Sequence, residues 1–301
     1  MTSTRARHAI VTGTGGLGFQ VALRLAREGW DVVIAGRSEA KGAEALAGIR
    51  AEAPDARIGF EILDLASLAS VADFAGRLRD QGDPVDLLVN NAGIMSPPKR
   101  LLTKEGHELQ FGVNYLGHFA LTAGLLPLLQ AAPSARVISV TSLAMHHAEA
   151  DLEDIACERA YKPGVAYCRS KLFQAMFARE LQRRSERSGW RLSSFAAHPG
   201  FAATNLFGAD QGPKGVQQFL SKYFLGPLIG HSAEAGARPI LFAATSAEAQ
   251  PGALYGPRGL FEMKGPPGLC KYAKAVDDQQ ATARLWDMSE ALTGLRLGDS
   301  A

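Results

Sequence analysis

Cysteine is scarce in this chain of 301 residues, which has three, Cys157, Cys168 and Cys270. Three scattered thiols are too few for a disulfide framework, and their spacing is not that of a zinc site. We therefore interpret all three as reduced and non-catalytic. His146 and His147 precede several closely spaced acids, but adjacent imidazoles do not easily converge on one ion, and such acids usually form a solvated loop. The sequence thus predicts no metal site.

Excess charge and long hydrophobic runs are also missing. Lysine and arginine number 32 against 30 acids, a formal net charge of +2, which provides no electrostatic basis for binding nucleic acid. The longest apolar stretch, Phe119–Leu129, is shorter than a membrane span and contains Pro127. The first seven residues are too short and too polar for a signal peptide. We expect a cytoplasmic protein without a membrane anchor.

The chain does contain a regular alternation of β and α patterns. Predicted strands span 8–12, 31–35, 57–63, 85–90, 135–141, 191–197 and 253–256, and predicted helices span 16–28, 38–52, 67–81, 104–130, 164–188, 232–246 and 278–293. This alternation predicts an α/β fold with a doubly wound parallel sheet, built as one domain over residues 1–301. In such folds ligands bind beyond the carboxyl ends of the strands.

Tyr167 and Lys171 stand four residues apart in a predicted helix, so both project from one face. A phenol has a reference pKa of about 10, and lowering that pKa by one unit requires about 1.4 kcal/mol of differential stabilisation. A cation at contact distance could supply several such units in a site that excludes water. The pair therefore favours acid–base chemistry, although a lone pair of this kind is more often a solvated helix face.

A glycine-rich turn, Gly13 to Gly18, lies between the first strand and the first helix. Gly13, Gly15 and Gly18 satisfy the general dinucleotide spacing, and the N-terminus of the helix offers free N–H groups to a pyrophosphate. This context favours a phosphate-binding turn over a purely structural one.

The end of the second strand indicates which dinucleotide binds. Gly36 stands where an NAD site usually has an acid for the ribose 2′-hydroxyl, and it is followed by Arg37, which suits a 2′-phosphate. Ser38 adds a hydroxyl donor. NADP(H) is therefore favoured over NAD(H); the alternative is that Arg37 begins a solvated helix that Ser38 caps.

Together these motifs resemble the short-chain dehydrogenase/reductase superfamily along nearly the whole chain. The matching segments are Thr12 to Gly18, Asp64-Leu65, Asn90 to Gly93, Asn114, Ser142, Tyr167 to Lys171, and Pro199-Gly200 with Thr204. Within the superfamily, segments 114–119, 142–147 and 166–171 are most similar to the retinol-dehydrogenase-like branch and its bacterial relatives. The resemblance implies a Rossmann fold with a variable substrate lid at about 204–230 and a C-terminal extension at about 257–301.

The chain departs from the superfamily pattern at two places. The first two glycines of the common pattern enclose three residues, whereas Gly13 and Gly16 enclose two, so phosphate contacts do not transfer residue by residue. The interval from Ser142 to Tyr167 is 167 − 142 = 25 residues. It is longer than in many relatives but similar to the retinol-dehydrogenase-like branch.

The resemblance implies a role for each residue of a catalytic set. Tyr167 would be the acid and base at the substrate oxygen, and Lys171 would lower the pKa of the tyrosine and bind the nicotinamide ribose. Ser142 would hold the substrate oxygen. Asn114 would hold a water that relays protons from Lys171.

Cofactor and substrate contacts are implied in the same way. The implied cofactor-binding residues are Gly13, Thr14, Gly15, Gly16, Leu17, Gly18, Arg37, Ser38, Asp64, Leu65, Asn91, Ala92, Gly93, Tyr167, Lys171, Pro199, Gly200, Phe201 and Thr204. Apolar residues recur at helical spacing in the lid, which favours either a wall for a bulky apolar substrate or a helix that packs on the domain. The wall candidates are Met145, Phe201, Phe207, Phe219 and Tyr223.

We therefore predict an NADP(H)-dependent carbonyl reductase or alcohol dehydrogenase for a hydrophobic ketone, aldehyde or secondary alcohol, acting as a monomer or homodimer. A light-dependent reductase of the protochlorophyllide type is an alternative, but those relatives have a cysteine where this chain has Phe201. Dehydration or epimerisation is a further alternative, but the sequence offers no additional acid–base pair for it. A non-enzymatic NADP(H)-binding sensor would not need the complete catalytic set.

Overall fold

The computed structural model describes residues 5–200 and 232–298. These residues form an eight-stranded sheet in the order β3-β2-β1-β4-β5-β6-β7-β8. The strands are β1 His8–Thr12, β2 Asp31–Gly36, β3 Ile58–Ile62, β4 Leu87–Asn90, β5 Ala135–Val140, β6 Leu192–Ala197, β7 Leu254–Pro257 and β8 Pro267–Cys270. Strands β1 to β7 pair in parallel, which confirms the predicted doubly wound sheet.

Strand β8 was not predicted and pairs antiparallel with β7. It has four residues and includes Pro267 and Gly268, so its local sequence lacks the pattern of a strand. Proline is tolerated here because β8 lies at the edge of the sheet, where one side of the strand needs no ladder partner. The predicted C-terminal extension therefore adds a strand to the sheet.

Helices cover both faces of this sheet. They are α1 Gly16–Arg27, α2 Glu39–Glu52, α3 Leu68–Gln81, α4 Gly117–Ala131, α5 Pro163–Ser188, α6 Ala233–Thr245, α7 Lys274–Asp277 and α8 Gln279–Thr293, with short 3₁₀ turns at Leu143–His147 and Leu260–Glu262. Six of the seven predicted helices have the predicted boundaries to within one residue. The predicted helix 104–130 instead begins at Phe111 with a π-helical turn, Phe111–Leu116, that continues into α4.

The core lies in two layers, one on each side of the sheet. On one side Phe119 of α4, Phe177 of α5 and Trp286 of α8 pack ring against ring, with centroids 5.2 to 5.7 Å apart. Trp286 is 1% exposed, so the C-terminal helix is part of the core. On the other side, α1, α2 and α6 bury aliphatic residues such as Val21 and Ile240.

The π-turn and α4 together form one continuous apolar helix, Phe111–Ala131. With 21 residues and a mean hydropathy of 1.2, it could cross a membrane by length and composition alone. This corrects the expectation that no run reaches that length, because the helix begins eight residues before the apolar stretch Phe119–Leu129 and ends two residues after it. The helix is 83% buried inside the protein, as the central helix of a core would be, and is weak evidence for a membrane span.

The sheet topology brings the predicted site residues to one edge. Strand β1 pairs with both β2 and β4, so the strand order reverses at β1. Parallel α/β sheets bind ligands in the crevice at such a reversal, beyond the carboxyl ends of the strands. The glycine turn follows β1, Arg37 follows β2, Asn91 follows β4, and Ser142 follows β5 by two residues.

Candidate active site

The glycine turn after β1 has a backbone that only glycine permits. Gly13 has φ +97° and Gly16 has φ +54°, both in the left-handed region. A Cβ on Gly18 would lie 2.3 Å from the carbonyl oxygen of Gly13, so α1 starts in direct contact with the turn. Gly15 caps α1 without a side-chain hydrogen bond, and a Cβ there would meet no atom within 4 Å. The space beside Gly15, at the N-terminus of α1, is therefore open, an arrangement that fits a pyrophosphate.

Thr12, at the end of β1, supports the segment after β4. We call this segment, residues 91–93, the floor of the crevice. Oγ1 of Thr12 accepts hydrogen bonds from the amides of Asn91 and Ala92, each at 2.9 Å. The Asn91 side chain donates in turn to the carbonyl oxygen of Thr12 at 2.7 Å. A Cβ on Gly93 would lie 3.2 Å from Oδ1 of Asn114 and 3.5 Å from Nζ of Lys171. The predicted cofactor-binding residues at 91–93 therefore reach the catalytic set directly.

The end of β2 is tight for the acid of an NAD site. A Cβ on Gly36 would lie 3.0 Å from Cγ2 of Thr14. Arg37 is exposed at this edge. Ser38 caps α2, with its Oγ accepting from the amide of Lys41 at 3.4 Å. The cap uses one lone pair and leaves the hydroxyl proton free to donate, so capping and a 2′-phosphate contact are compatible.

Asp64 and Leu65, two of the predicted cofactor-binding residues, follow β3. One carboxylate oxygen of Asp64 accepts from the amide of Ala66 at 3.1 Å, and Leu65 is buried. A Cβ on Gly117 would lie 2.6 Å from the carbonyl oxygen of Leu65. Helix α4 therefore closely approaches the backbone at Leu65.

Helix α5 presents Tyr167 and Lys171 toward the end of β5. The Ser142 hydroxyl, two residues beyond β5, lies within hydrogen-bonding reach of the Tyr167 phenol and lowers its pKa. The Nζ atom of Lys171 lies 5.8 Å from the centre of the tyrosine ring. That ammonium donates to the carbonyl oxygen of Val140 at 3.1 Å and to Oε1 of Gln174 at 2.7 Å. Three of the four predicted catalytic residues therefore lie together.

The pKa values of this pair are set by burial. Tyr167 is 8% exposed and Lys171 is 4% exposed. Burial raises the pKa of Tyr167 to about 12 against a smaller lowering by the Ser142 hydrogen bond, and burial lowers the pKa of Lys171 to about 7. Burial is the largest effect on both groups, because loss of solvent disfavours the charged form of each. The lowering of the Tyr167 pKa by Lys171 stays a prediction.

Asn114 lies in the π-turn, which widens the helix at this point. Its side-chain amide donates to the carbonyl oxygen of Ile94 at 3.0 Å and to Oγ of Ser170 at 2.9 Å, and its Oδ1 accepts from the amide of Ile94 at 2.8 Å. Asn114 is fully buried. It therefore joins the loop after β4 to α5 beside Lys171; its predicted water relay stays a prediction.

Several predicted residues lie elsewhere. Phe201, Thr204, Phe207, Phe219 and Tyr223, and the lid at about 204–230, lie outside the described residues. Met145 is fully buried in the core, with its sulfur 3.8 Å from Oγ1 of Thr141. This corrects its interpretation as a substrate wall: the 3₁₀ turn after Ser142 directs it inward.

The turn at Pro199 and Gly200 is held by His198 and by the segment after β7. The amide of Gly200 donates to Nδ1 of His198 at 3.2 Å. The Nε2 atom of the same ring pairs with Glu262 at 3.2 Å. Among the described residues, His198, Glu262 and Cys270 are a group whose ligand atoms lie within 4.8 Å of one another. Because both imidazole nitrogens already have protein partners, we interpret the group as a hydrogen-bonded support, and the absence of a metal stays a prediction.

Three residues contribute to the site in ways that the sequence motifs did not indicate. Gln174 accepts from Lys171, Ser170 accepts from Asn114, and Thr12 supports the floor. Ser170 and Gln174 lie three and seven residues after Tyr167, so helical spacing alone places them on its face. The role of Thr12 depends on pairing between β1 and β4, which no local signal reports.

Comparisons with known proteins give the chain its relatives. Residues 7–213 match the family model described as short chain dehydrogenase. The chain is 41% identical over 302 residues to polyprenol dehydrogenase of Mus musculus, covering 98% of this chain and 86% of that protein. It is 38% identical over 295 residues to retinol dehydrogenase 13 of Homo sapiens, covering 95% and 84%.

Solved structures agree with these relatives. A crystal structure of an uncharacterised protein from Mycobacterium paratuberculosis has a TM-score of 0.78 at 34% identity, covering 96% of this chain and 94% of that one. Actinorhodin polyketide ketoreductase, crystallised with NADPH, has a TM-score of 0.63 at 20% identity, covering 84% and 96%. The second likeness shows a shared fold alone.

Proposed function

Because the chain belongs to the short chain dehydrogenase family, we propose that it is an NADP(H)-dependent oxidoreductase that interconverts a hydrophobic ketone or aldehyde and its alcohol. The observation that carries this proposal is the buried Tyr167 phenol, which lies beside both the Ser142 hydroxyl and the Lys171 ammonium. Two hydroxyl groups at one point can both bind a single substrate oxygen.

Each residue of the set has a distinct role in the proposed reaction. Tyr167 gives its proton to the substrate oxygen during reduction and takes the proton back during oxidation. Ser142 donates to the same oxygen as negative charge develops there. Lys171 in its ammonium form stabilises the phenolate left on Tyr167, and Asn114 holds α5 at the right distance from the loop after β4. The nicotinamide cofactor supplies the hydride when bound.

The names of two relatives support a lipophilic substrate. Polyprenol and retinol are alcohols with long apolar chains, and the relatives named for them align with nearly the whole of this chain. We therefore expect turnover of bulky apolar carbonyls, with NADPH oxidation followed at the nicotinamide absorbance. The panel pairs these with small polar carbonyls, and NADH is tested in parallel. Tight NADPH binding without turnover of any carbonyl would contradict the proposal and favour the sensor alternative.

We expect Arg37→Asp to reverse the cofactor preference. The guanidinium pairs with a 2′-phosphate, whereas a carboxylate repels it and accepts from the 2′-hydroxyl of NADH. The ratio of kcat/KM for NADPH to that for NADH should fall at least about tenfold, a difference of about 1.4 kcal/mol. Arg57→Asp is the matched control, since Arg57 is exposed just before β3, at the amino ends of the strands and not at their carboxyl ends. An unchanged ratio in the Arg37 variant would exclude the 2′-phosphate contact.

We also propose that the protein is cytoplasmic and has no membrane anchor. A net charge of +2 and the burial of the helix Phe111–Ala131 support this location. Fractionation of cells expressing the chain should recover it in the supernatant. Recovery in the membrane pellet that resists high salt would overturn the proposal.

A further inference from the structure

His118 is a buried histidine that the proposed reaction does not use. It lies in the first turn of α4, four residues after Asn114, and is 2% exposed. Its two ring nitrogens contact opposite parts of the site. Nδ1 lies 3.0 Å from the main-chain oxygen of Asn114, and Nε2 lies 2.9 Å from Oγ1 of Thr12. The ring therefore stands between the floor beneath the glycine turn and the catalytic set.

The hydrogen bonds require one tautomer. The main-chain oxygen of Asn114 can only accept, so Nδ1 of His118 must carry a proton and donate. The hydroxyl of Thr12 already accepts from the amides of Asn91 and Ala92, which uses both of its lone pairs. The Thr12 hydroxyl must therefore donate its proton to another acceptor. Nε2 of His118 at 2.9 Å is a closer acceptor than the Val89 oxygen at 3.3 Å. Two independent arguments give the same neutral form.

We propose that His118 is a positioning residue for the reaction: as the neutral Nδ1-protonated ring, it holds the cofactor floor and the Asn114 carbonyl in one arrangement. The inference rests on the proposed function. From Asn114 the contacts continue to Ser170 at 2.9 Å, and Ser170 donates to the Tyr167 main-chain oxygen at 2.8 Å. A continuous series of hydrogen bonds therefore runs from Thr12 to the catalytic helix, and His118 is the member that joins β1 to the π-turn.

The surroundings of the ring keep it neutral. Burial lowers the pKa of His118 to about 4, and the charge of Lys171 acts in the same direction. The hydrogen bond to Asn114 is a smaller opposing effect. At physiological pH the ring therefore keeps one donor and one acceptor, which is what its two partners need.

The first test uses the apoprotein and needs no turnover. In ¹⁵N NMR of the histidine side chains, with His118→Asn used to assign the signal, His118 should appear as the Nδ1–H tautomer and should not titrate between pH 5 and 8. An Nε2–H tautomer, or titration near the ordinary value of about 6.5, would overturn the proposal.

The second test separates the two contacts by substitution. The amide of asparagine stands near the position of Nδ1, so His118→Asn keeps the bond to Asn114 and loses Thr12. The longer glutamine reaches the position of Nε2, so His118→Gln keeps the hydrogen bond to Thr12 and loses the hydrogen bond to Asn114. We expect His118→Asn to weaken NADPH binding at least about fivefold with a smaller change in kcat. His118→Gln should lower kcat at least about tenfold with nearly unchanged NADPH affinity.

Thr122→Val is the matched control. Thr122 lies one turn further along α4, and its buried hydroxyl donates to the His118 carbonyl oxygen and accepts from Asn90. Loss of the Thr122 hydroxyl should lower the free energy of unfolding. It should not change NADPH affinity and kcat by different factors. If both His118 variants lower only stability, or change affinity and kcat in parallel, His118 is a structural residue and the proposal fails. If the unmodified protein turns over no carbonyl, the proposed function fails, whereas the tautomer and NADPH-binding results still decide the contact to Thr12.

Discussion

Tyr167→Phe should abolish turnover and leave NADPH binding within about threefold of the unmodified protein. The substitution removes one hydroxyl, the group that transfers the proton to the substrate oxygen, and general acid–base catalysis contributes roughly 10²- to 10⁴-fold to a rate. We expect kcat to fall by at least about 10²-fold. The ring itself keeps its packing, because phenylalanine has the same shape. Steady-state kinetics with the best carbonyl, together with NADPH titration by fluorescence, measure both quantities.

Tyr161→Phe is the control for loss of a tyrosine hydroxyl near this site. The Tyr161 hydroxyl donates to the Pro97 main-chain oxygen at 2.8 Å and accepts from Gln110 at 3.3 Å, and neither partner belongs to the predicted catalytic set. This variant should keep kcat within about threefold. If Tyr167→Phe retained more than a tenth of the original kcat, the tyrosine would not be the acid, and the proposed mechanism would be wrong.

Lys171→Met should stabilise the apoprotein while it removes activity. Lys171 is buried, and its two hydrogen-bond acceptors among the described residues, the Val140 carbonyl and Gln174, are neutral. Burying an ammonium without a counter-ion is costly, and burial holds its pKa at about 7 instead of 10.5. Methionine fills a similar volume without that cost. The loss of two hydrogen bonds opposes the gain, and we expect a net increase in the free energy of unfolding on the order of 1–3 kcal/mol at pH 6.

The pH dependence of this stabilisation has a definite sign. Between pH 7 and 10.5 the unfolded chain holds the lysine proton and the folded protein does not, so the free energy of unfolding of the unmodified protein rises with pH in that window. The cost of the buried charge is fully present below pH 7 and disappears above 10.5. The advantage of Lys171→Met should therefore shrink as pH rises from 7 to 10.

Urea unfolding of the apoprotein at pH 6, 8 and 10 measures this trend. Lys162→Met is the matched control, since Lys162 is exposed just before α5 and its replacement should change stability by no more than about 0.5 kcal/mol at every pH. A Lys171→Met variant that is less stable at pH 6, or equally shifted at all three pH values, would contradict the burial argument. The result would identify Lys171 as a residue kept for function at the expense of stability.

Residue spacing along short segments made much of this site predictable. The glycine turn, the Tyr167–Lys171 pair and the strand ends are all local patterns, because helices and strands repeat over a few residues and special backbone angles require glycine. The parallel sheet followed from the alternation of these elements. Helix α4 shows the limit of this reasoning: its periodicity gave no sign of the π-turn, which depends on contacts that Asn114 makes with Ile94 and Ser170.

By itself, therefore, the sequence determined the fold class, the edge of the sheet at which the candidate site lies, and the residue types gathered there. Tertiary structure alone decided how those residues act on one another. His118 and Thr12 are 106 positions apart and meet only because β1 pairs with β4 beneath the central helix. The pKa values of Tyr167 and Lys171 depend on how completely packing removes solvent from them. Burial and distant contacts are properties of the packed chain as a whole, and no short segment of sequence encodes them.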